Sequence, residues 1–216
     1  IGARSTVVSV DDDDVAAGYP ELIRAAAAPV IETAAPATLL LAREVHRGGF
    51  KVALTGEGSD EWLAGYLWHK FHRIVGWADA MPGVRMSGLI RRLLFQLIDV
   101  PAHGRPRIHG HHDAIGHHSA FHDVYGLMTA SRYVFFTDDP LAALEDHDPY
   151  LELAPDLAAM RRWHPLNQSA YWASRIHLPG HLLSLKGDRP AMHSGVETRY
   201  PFLDEELFAF LAALPD

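Results

Sequence analysis

The sequence predicts an α/β fold: a partial parallel sheet followed by a large helical region. Two observations lead there. Residues 51–55 (KVALT) are an apolar run of strand length bounded by Gly49 and Gly56, and such runs read as buried strands. A helical pattern with a glycine stop precedes this run, and a glycine-rich turn opening a second helical pattern follows it. That alternation builds parallel sheets. Ligands of such sheets bind outside the carboxyl ends of the strands, which is where Thr55 and Gly56 fall.

Taken in order, residues 6–10 (TVVSV) read as a short buried strand. The aspartates of residues 11–14 suit a solvated loop or a helix start. A helix is expected over residues 20–28, broken by Pro29, and a second over residues 37–47 with Pro36 in its first turn and Leu40, Leu41 and Val45 on one side. Gly48 and Gly49 stop it. Beyond residue 60 there is little strand signal. Residues 60–75, 87–98, 119–131, 140–147, 155–175 and 204–213 read mainly as helix, punctuated by prolines.

Composition bounds the function. There are 216 residues, 48% of them hydrophobic, with a formal net charge of -8. A nucleic-acid surface needs clustered basic charge, so nucleic acid is not an expected partner. A nucleotide site remains open, because backbone N–H groups and a metal can hold phosphates without net protein charge. The absence of cysteine removes disulfides, thiolate zinc sites and a cysteine nucleophile, and is consistent with a cytoplasmic protein. No apolar run approaches the ~20 residues of a membrane helix.

The chemistry concentrates in T55-G56-E57-G58-S59-D60-E61. Glycines on both sides of Glu57 let the backbone turn sharply and approach a ligand. Ser59 or Asp60 is placed to cap the next helix, whose first N–H groups suit an anion. Grouping Glu57, Asp60 and Glu61 at a strand end calls for a cation, and Mg²⁺ held by one or two carboxylates and substrate phosphates fits. A plain strand-to-helix turn with ordinary caps is the bland alternative.

Residues 55–66 (TGEGSDEWLAGY) resemble the S-G-E-G-x-D-E-x-x-x-G-Y signature of the glutamine-hydrolysing asparagine synthetases. Residues 178–204 are similar to a second run of that family. The matching positions are Leu178, Pro179, Asp188, Arg189, Met192, Glu197, Arg199, Pro201, Phe202, Leu203 and Asp204. Residues 29–42 are a weaker third match, and all three follow the family's order. The resemblance implies the C-terminal synthetase domain, an ATP pyrophosphatase of the adenine-nucleotide α-hydrolase-like class. Residues 1–216 would be part of that one domain. Residues 1–75 would carry the sheet and nucleotide site, 76–160 a divergent helical region, and 161–216 a helical part with the Asp-Arg and Pro-Phe-Leu-Asp blocks.

The implied reaction adenylates aspartate with ATP and Mg²⁺, releases pyrophosphate, and lets glutamine-derived ammonia displace AMP to give asparagine. Thr55, Gly56, Gly58, Ser59 and Asp60 would meet the nucleotide, with Asp60 also a Mg²⁺ ligand. Glu57 matches the residue implicated in forming the adenylate or handling the proton of the incoming amine. The related β-lactam synthetases carry Tyr there, so Glu57 favours an amidating reaction. Lys186, Asp188, Arg189, Glu197 and Arg199 either contact substrate or hold the site together. A buried ion-pair network is the expected form for the last four, and a solvated side chain for Lys186.

The family's Ser-Gly-Gly-x-Asp-Ser loop, its N-terminal glutaminase domain with a terminal Cys, and a later basic loop are not in the sequence. The glutaminase domain is therefore an expected partner, and residues 1–216 alone are not expected to make asparagine. A homodimer is compatible with the resemblance. Two rival readings stay open: a relative that amidates another carboxylate, and a non-catalytic metal-binding domain. The second is motivated by seven histidines in residues 103–122, in a Gly/Asp/Pro-rich stretch read as a loop without fixed geometry. Trp62, Tyr66, Trp68 and Phe71, and the stripe Leu207, Phe208, Leu211 and Leu214, are expected to pack in the core.

Overall fold

The computed structural model describes residues 2–30, 32–70, 89, 93, 121–122, 151–153 and 156–214. In chain order the elements are α1 (Asp12–Ala26), α2 (Ala34–Arg47), β1 (Val52–Leu54), α3 (Ser59–Trp62), α4 (Leu157–Met160), α5 (Pro165–Trp172), a wide helix with π-type turns (Ala173–Asp188), α6 (Arg189–His193), β2 (Glu197–Arg199) and α7 (Glu205–Ala212). The chain divides into two compact units, one of residues 1–63 with 173–215 and one of residues 64–172. No helix among the described residues is long and apolar enough to cross a membrane.

In the first unit, α1 starts earlier than the sequence suggests. The Asp11 carboxylate accepts from the Asp14 N–H at 2.9 Å, and Asp14 returns the bond to the Asp11 N–H at 3.2 Å. This reciprocal cap, with Asp12, Asp13 and Asp14 in the first turn, favours the positive end of the helix. The aspartate run is therefore a helix start, and Pro20 lies inside α1 rather than opening it. The helix ends at Ala26, with Ala27 left-handed at φ 51°.

α1 packs on α2 through Leu22, Ala26, Val30, Ala35 and Leu39, with Tyr19 and Leu185 against the cluster. Ala35, Leu39 and Ala42 recur at the four- and three-residue spacing of one helix face. That face, and not Leu41 (51% exposed), turns inward. Leu22 and Leu39 are fully buried, each contributing about 2 kcal/mol by removal from water.

β1 pairs with β2 in parallel, Val52 opposite Glu197, Ala53 opposite Thr198 and Leu54 opposite Arg199. The ladder extends at both ends: the Glu197 N–H donates to Lys51 O at 2.8 Å, and the Thr55 N–H donates to Arg199 O at 2.9 Å. The sequence reading missed β2 because Glu-Thr-Arg carries no apolar run, and pairing with β1 alone makes it a strand. The opposite correction applies to residues 6–10. They form no strand and Val7 is 84% exposed; with no ladder partner among the described residues, their apolar character fixes no element. Ala53 faces a second core of Ala42, Val45, Ala191 and Val196.

The wide helix was also unexpected, since the helical reading stopped at residue 175. Pro179 sits inside it. A proline ring clashes with the carbonyl one α-turn back, and the larger i→i+5 turn relieves that crowding.

Among the described residues of the second unit, aromatic rings pack together. Phe121 and Trp172 are almost fully buried, with Trp68 6.2 Å from Phe121 and His122 5.2 Å from Trp172, ring to ring. Tyr66 stacks on Trp68 at 3.9 Å. His122, last of the seven clustered histidines, is thus packed among rings in a helical segment rather than displayed on a loop. Residues 103–120 lie outside the described residues, as do Phe71 and nearly all of the helices expected over 87–98, 119–131 and 140–147. In α7 the expected core stripe is not buried: Phe208 is 44% and Leu214 47% exposed.

Candidate active site

The candidate site is the turn between β1 and α3. Gly58 is left-handed at φ +98°, and a Cβ there would lie 2.5 Å from Leu203 Cδ2, so glycine is required both by conformation and by the close approach of the Leu203 segment. Gly56 has open space where a Cβ would be and is exposed. It offers bare backbone beside Glu57.

The three acidic side chains separate in role. Glu61 is 1% exposed and its carboxylate accepts the Gly58 N–H at 3.0 Å. It ties the turn and does not join a cation cluster, contrary to the expected grouping. Asp60 is exposed, and Glu57 is half-buried. Glu57 Oε2 and Thr55 Oγ1 are both buried and have no hydrogen-bond partner among the described residues. Buried polar atoms without partners are uncommon and costly, so these two oxygens mark where a ligand would bond. No group of three metal-ligating side chains occurs among the described residues. The hard oxygens of Thr55, Glu57 and Asp60 suit Mg²⁺ only with phosphate or water oxygens completing its shell.

Ser59 does not cap α3. Its hydroxyl donates back to Gly56 O at 2.8 Å, Gly58 is the cap residue, and α3 is four residues long. The turn is braced from the other side by Trp62, whose indole N–H donates to Phe202 O at 3.0 Å and whose ring lies 4.6 Å from Phe208. Trp62 therefore serves this unit, apart from Tyr66 and Trp68. Glu61→Ala is expected to cost about 2 kcal/mol, the range for losing a hydrogen bond to a buried charged group. Chemical denaturation checks this, and Glu61→Gln, which keeps an acceptor, should lose less.

The four residues expected to form a buried ion-pair network do not do so. Arg199 Nε pairs with Glu197 at 2.9 Å, both side chains more than half exposed, because residues two apart on a strand share a face. Arg189 donates to Ala26 O. The Thr198 hydroxyl donates to Asp188 at 2.9 Å and lies 2.6 Å from the Tyr200 hydroxyl. Tyr200 was not singled out from the sequence, and its place just before Pro201 gave no signal. Burial raises its phenol above the ordinary range, and the nearby Asp188 and Glu57 charges push the same way against the Thr198 hydrogen bond.

Lys186 is not simply solvated. It pairs with Glu32 at 3.4 Å, and His181 bonds the same carboxylate at 2.9 Å. Burial raises Glu32, but His181 and Lys186 outweigh it and hold the carboxyl below its usual range. His177 stacks on His181 at 5.1 Å, and burial together with the His181 charge depresses it to about 4.

A glycine-flanked carboxylate turn at the end of a strand in a two-stranded parallel sheet, among helices, is compatible with an α/β domain. The asparagine synthase family matches residues 1–216, and the chain belongs to that family. It is 27% identical over 217 residues to a Mycobacterium bovis protein named "Putative asparagine synthetase (glutamine-hydrolyzing)", covering all of this chain and 32% of that one. It is 23% identical over 231 residues to the amidase chyE of Penicillium rubens (all of this chain, 33% of the relative). The amidase chry2 of Gibberella zeae is 22% identical over 241 residues, with the same coverage. The chain thus spans about a third of the length of the curated relatives it matches. No solved structure matches it.

Proposed function

We propose that the chain is part of an ATP-dependent amidating ligase of the asparagine synthetase type. Aspartate is adenylated with release of pyrophosphate, and ammonia displaces AMP to give asparagine. The observation that carries the reading is the pair of buried, unpartnered oxygens, Thr55 Oγ1 and Glu57 Oε2, at the strand end of an asparagine synthase family member. Thr55, Gly56, Gly58 and Ser59 form the backbone wall against the nucleotide. Asp60, exposed beside it, would hold Mg²⁺, which would neutralise charge on the departing pyrophosphate. Glu57 takes the proton of the attacking nitrogen. A glutaminase domain is the proposed source of ammonia.

The similarity to two fungal amidases favours a second reading in which a carboxylate other than aspartate is amidated. The test is ATP–pyrophosphate exchange by the full-length polypeptide with a panel of carboxylic acids. Aspartate-dependent exchange supports the first reading. Exchange with another acid and none with aspartate replaces it by the second. Exchange with no acid overturns both.

A further inference from the structure

We infer that Ser59 and Glu61 are positioning residues for Glu57: they tie the peptide planes on either side of it, so that its carboxylate is aimed before the nitrogen arrives. The inference deepens the amidating reading and rests on it. The direction in which a side chain leaves the backbone is set by φ and ψ, the rotations of its two flanking peptide planes. At Glu57 both planes are held. The plane before it carries the Gly56 carbonyl, which accepts from the Ser59 hydroxyl at 2.8 Å and from the Ser59 N–H at 3.3 Å. The plane after it carries the Gly58 N–H, which donates to the Glu61 carboxylate at 3.0 Å. Glu61 is 1% exposed, so this bond lies out of reach of competing water.

The ends of the turn are fixed as well. The Thr55 N–H donates to Arg199 O at 2.9 Å on one side, and the Trp62 N–H donates to Gly58 O at 3.1 Å on the other. Leu203 and the Trp62 indole flank Gly58, with the indole nitrogen 3.3 Å from where a Cβ would stand. Glu57 needs such ties because its neighbours are glycines, whose backbone is the loosest of any residue. The carboxylate carried by this braced backbone has an oxygen that is buried and lacks a hydrogen-bond partner among the described residues. A base acts only from a near-attack geometry, and a displacement of about 1 Å can cost ~10²-fold in rate. The two side chains thus convert a flexible glycine turn into a fixed mount for one carboxylate.

The test is amide formation by the full-length polypeptide, with ammonia and the acid that supports ATP–pyrophosphate exchange. Ser59→Ala removes the hydroxyl tie and leaves the backbone bond to Gly56 O. Its kcat is expected to fall about tenfold, while the KM for ATP moves by less than about threefold. Its urea midpoint should stay close to that of the unaltered protein, since the lost bond is exposed. Glu61→Ala is expected to lower kcat at least as far. Glu61→Gln, which keeps an acceptor for the Gly58 N–H, should recover most of that loss. Ser59→Ala decides the matter if the Glu61 variants do not fold. An unchanged kcat in Ser59→Ala overturns the inference. A KM for ATP that rises as steeply as kcat falls also overturns it, since that marks a turn that has collapsed. Absence of exchange in the unaltered protein overturns the amidating reading itself, a result separate from any effect of Ser59 or Glu61.

Discussion

Glu57→Gln is expected to abolish amide formation without weakening the fold. As a base for the attacking nitrogen, its carboxylate is worth about 10²–10⁴ in rate, and the amide cannot take the proton. Most active-site changes cost stability or leave it unaltered for reasons that are hard to separate. Here the structure separates them. Glu57 Oε2 is buried without a partner, and a buried polar atom without a partner opposes folding. Replacing it by a neutral isostere should leave the denaturation midpoint unchanged or raise it while activity disappears. The paired measurements are unfolding in urea and product formation. Retained activity would refute the role of Glu57, and a large loss of stability would make it a structural residue instead.

The second large effect is acid lability centred on His177. The ring is 5% exposed and lies in the field of His181, Lys186 and Glu32, of which only Glu32 favours its charge. Its value falls from 6.5 unfolded to about 4 folded, so between those limits the unfolded chain binds more protons and stability rises with pH. The contribution is complete above pH 6.5 and is lost as pH falls towards 4, roughly 3 kcal/mol in all at 1.36 kcal/mol per unit. Glu32, depressed below its ordinary 4.5, adds a loss in the same direction that begins only under pH 4.5. Urea midpoints measured from pH 7 to pH 4 should decline, and His177→Asn should flatten the decline between pH 6.5 and 4.5. A slope unchanged in that variant would place the acid sensitivity elsewhere.

What could be read beforehand tracks how locally each feature is determined. Residues 51–55 signalled β1 by an apolar run of strand length between glycines, but the strand is not the buried one expected: Val52 and Leu54 are exposed and only Ala53 packs on the core. The turn after it was legible because Gly58, forced left-handed against Leu203, leaves a mark in the residue type. β2 left none, since Glu197, Thr198 and Arg199 become a strand only by pairing with residues far earlier in the chain. The wide helix was hidden by Pro179, whose ordinary meaning is a stop. Glu61 was misread with its neighbours: three nearby carboxylates suggest one cation, but only the fold shows that Glu61 turns inward to hold Gly58. Tyr200 gave no signal because its hydroxyl meets Thr198, and Thr198 meets Asp188, only in the folded chain.

The broad helix from Ala173 to Asp188 has a bearing on how this gene can change. Each residue of an ordinary helix advances the chain by about 100° around its axis, and a wider turn by somewhat less, so losing one codon there would swing everything downstream by roughly a quarter circle. Lys186 would turn away from Glu32, and Asp188 from Thr198. Substitutions at its exposed positions escape that penalty, unlike those at Gly187, His181 or Lys186. Its tally of residues, together with those few side chains, is therefore what inheritance must keep.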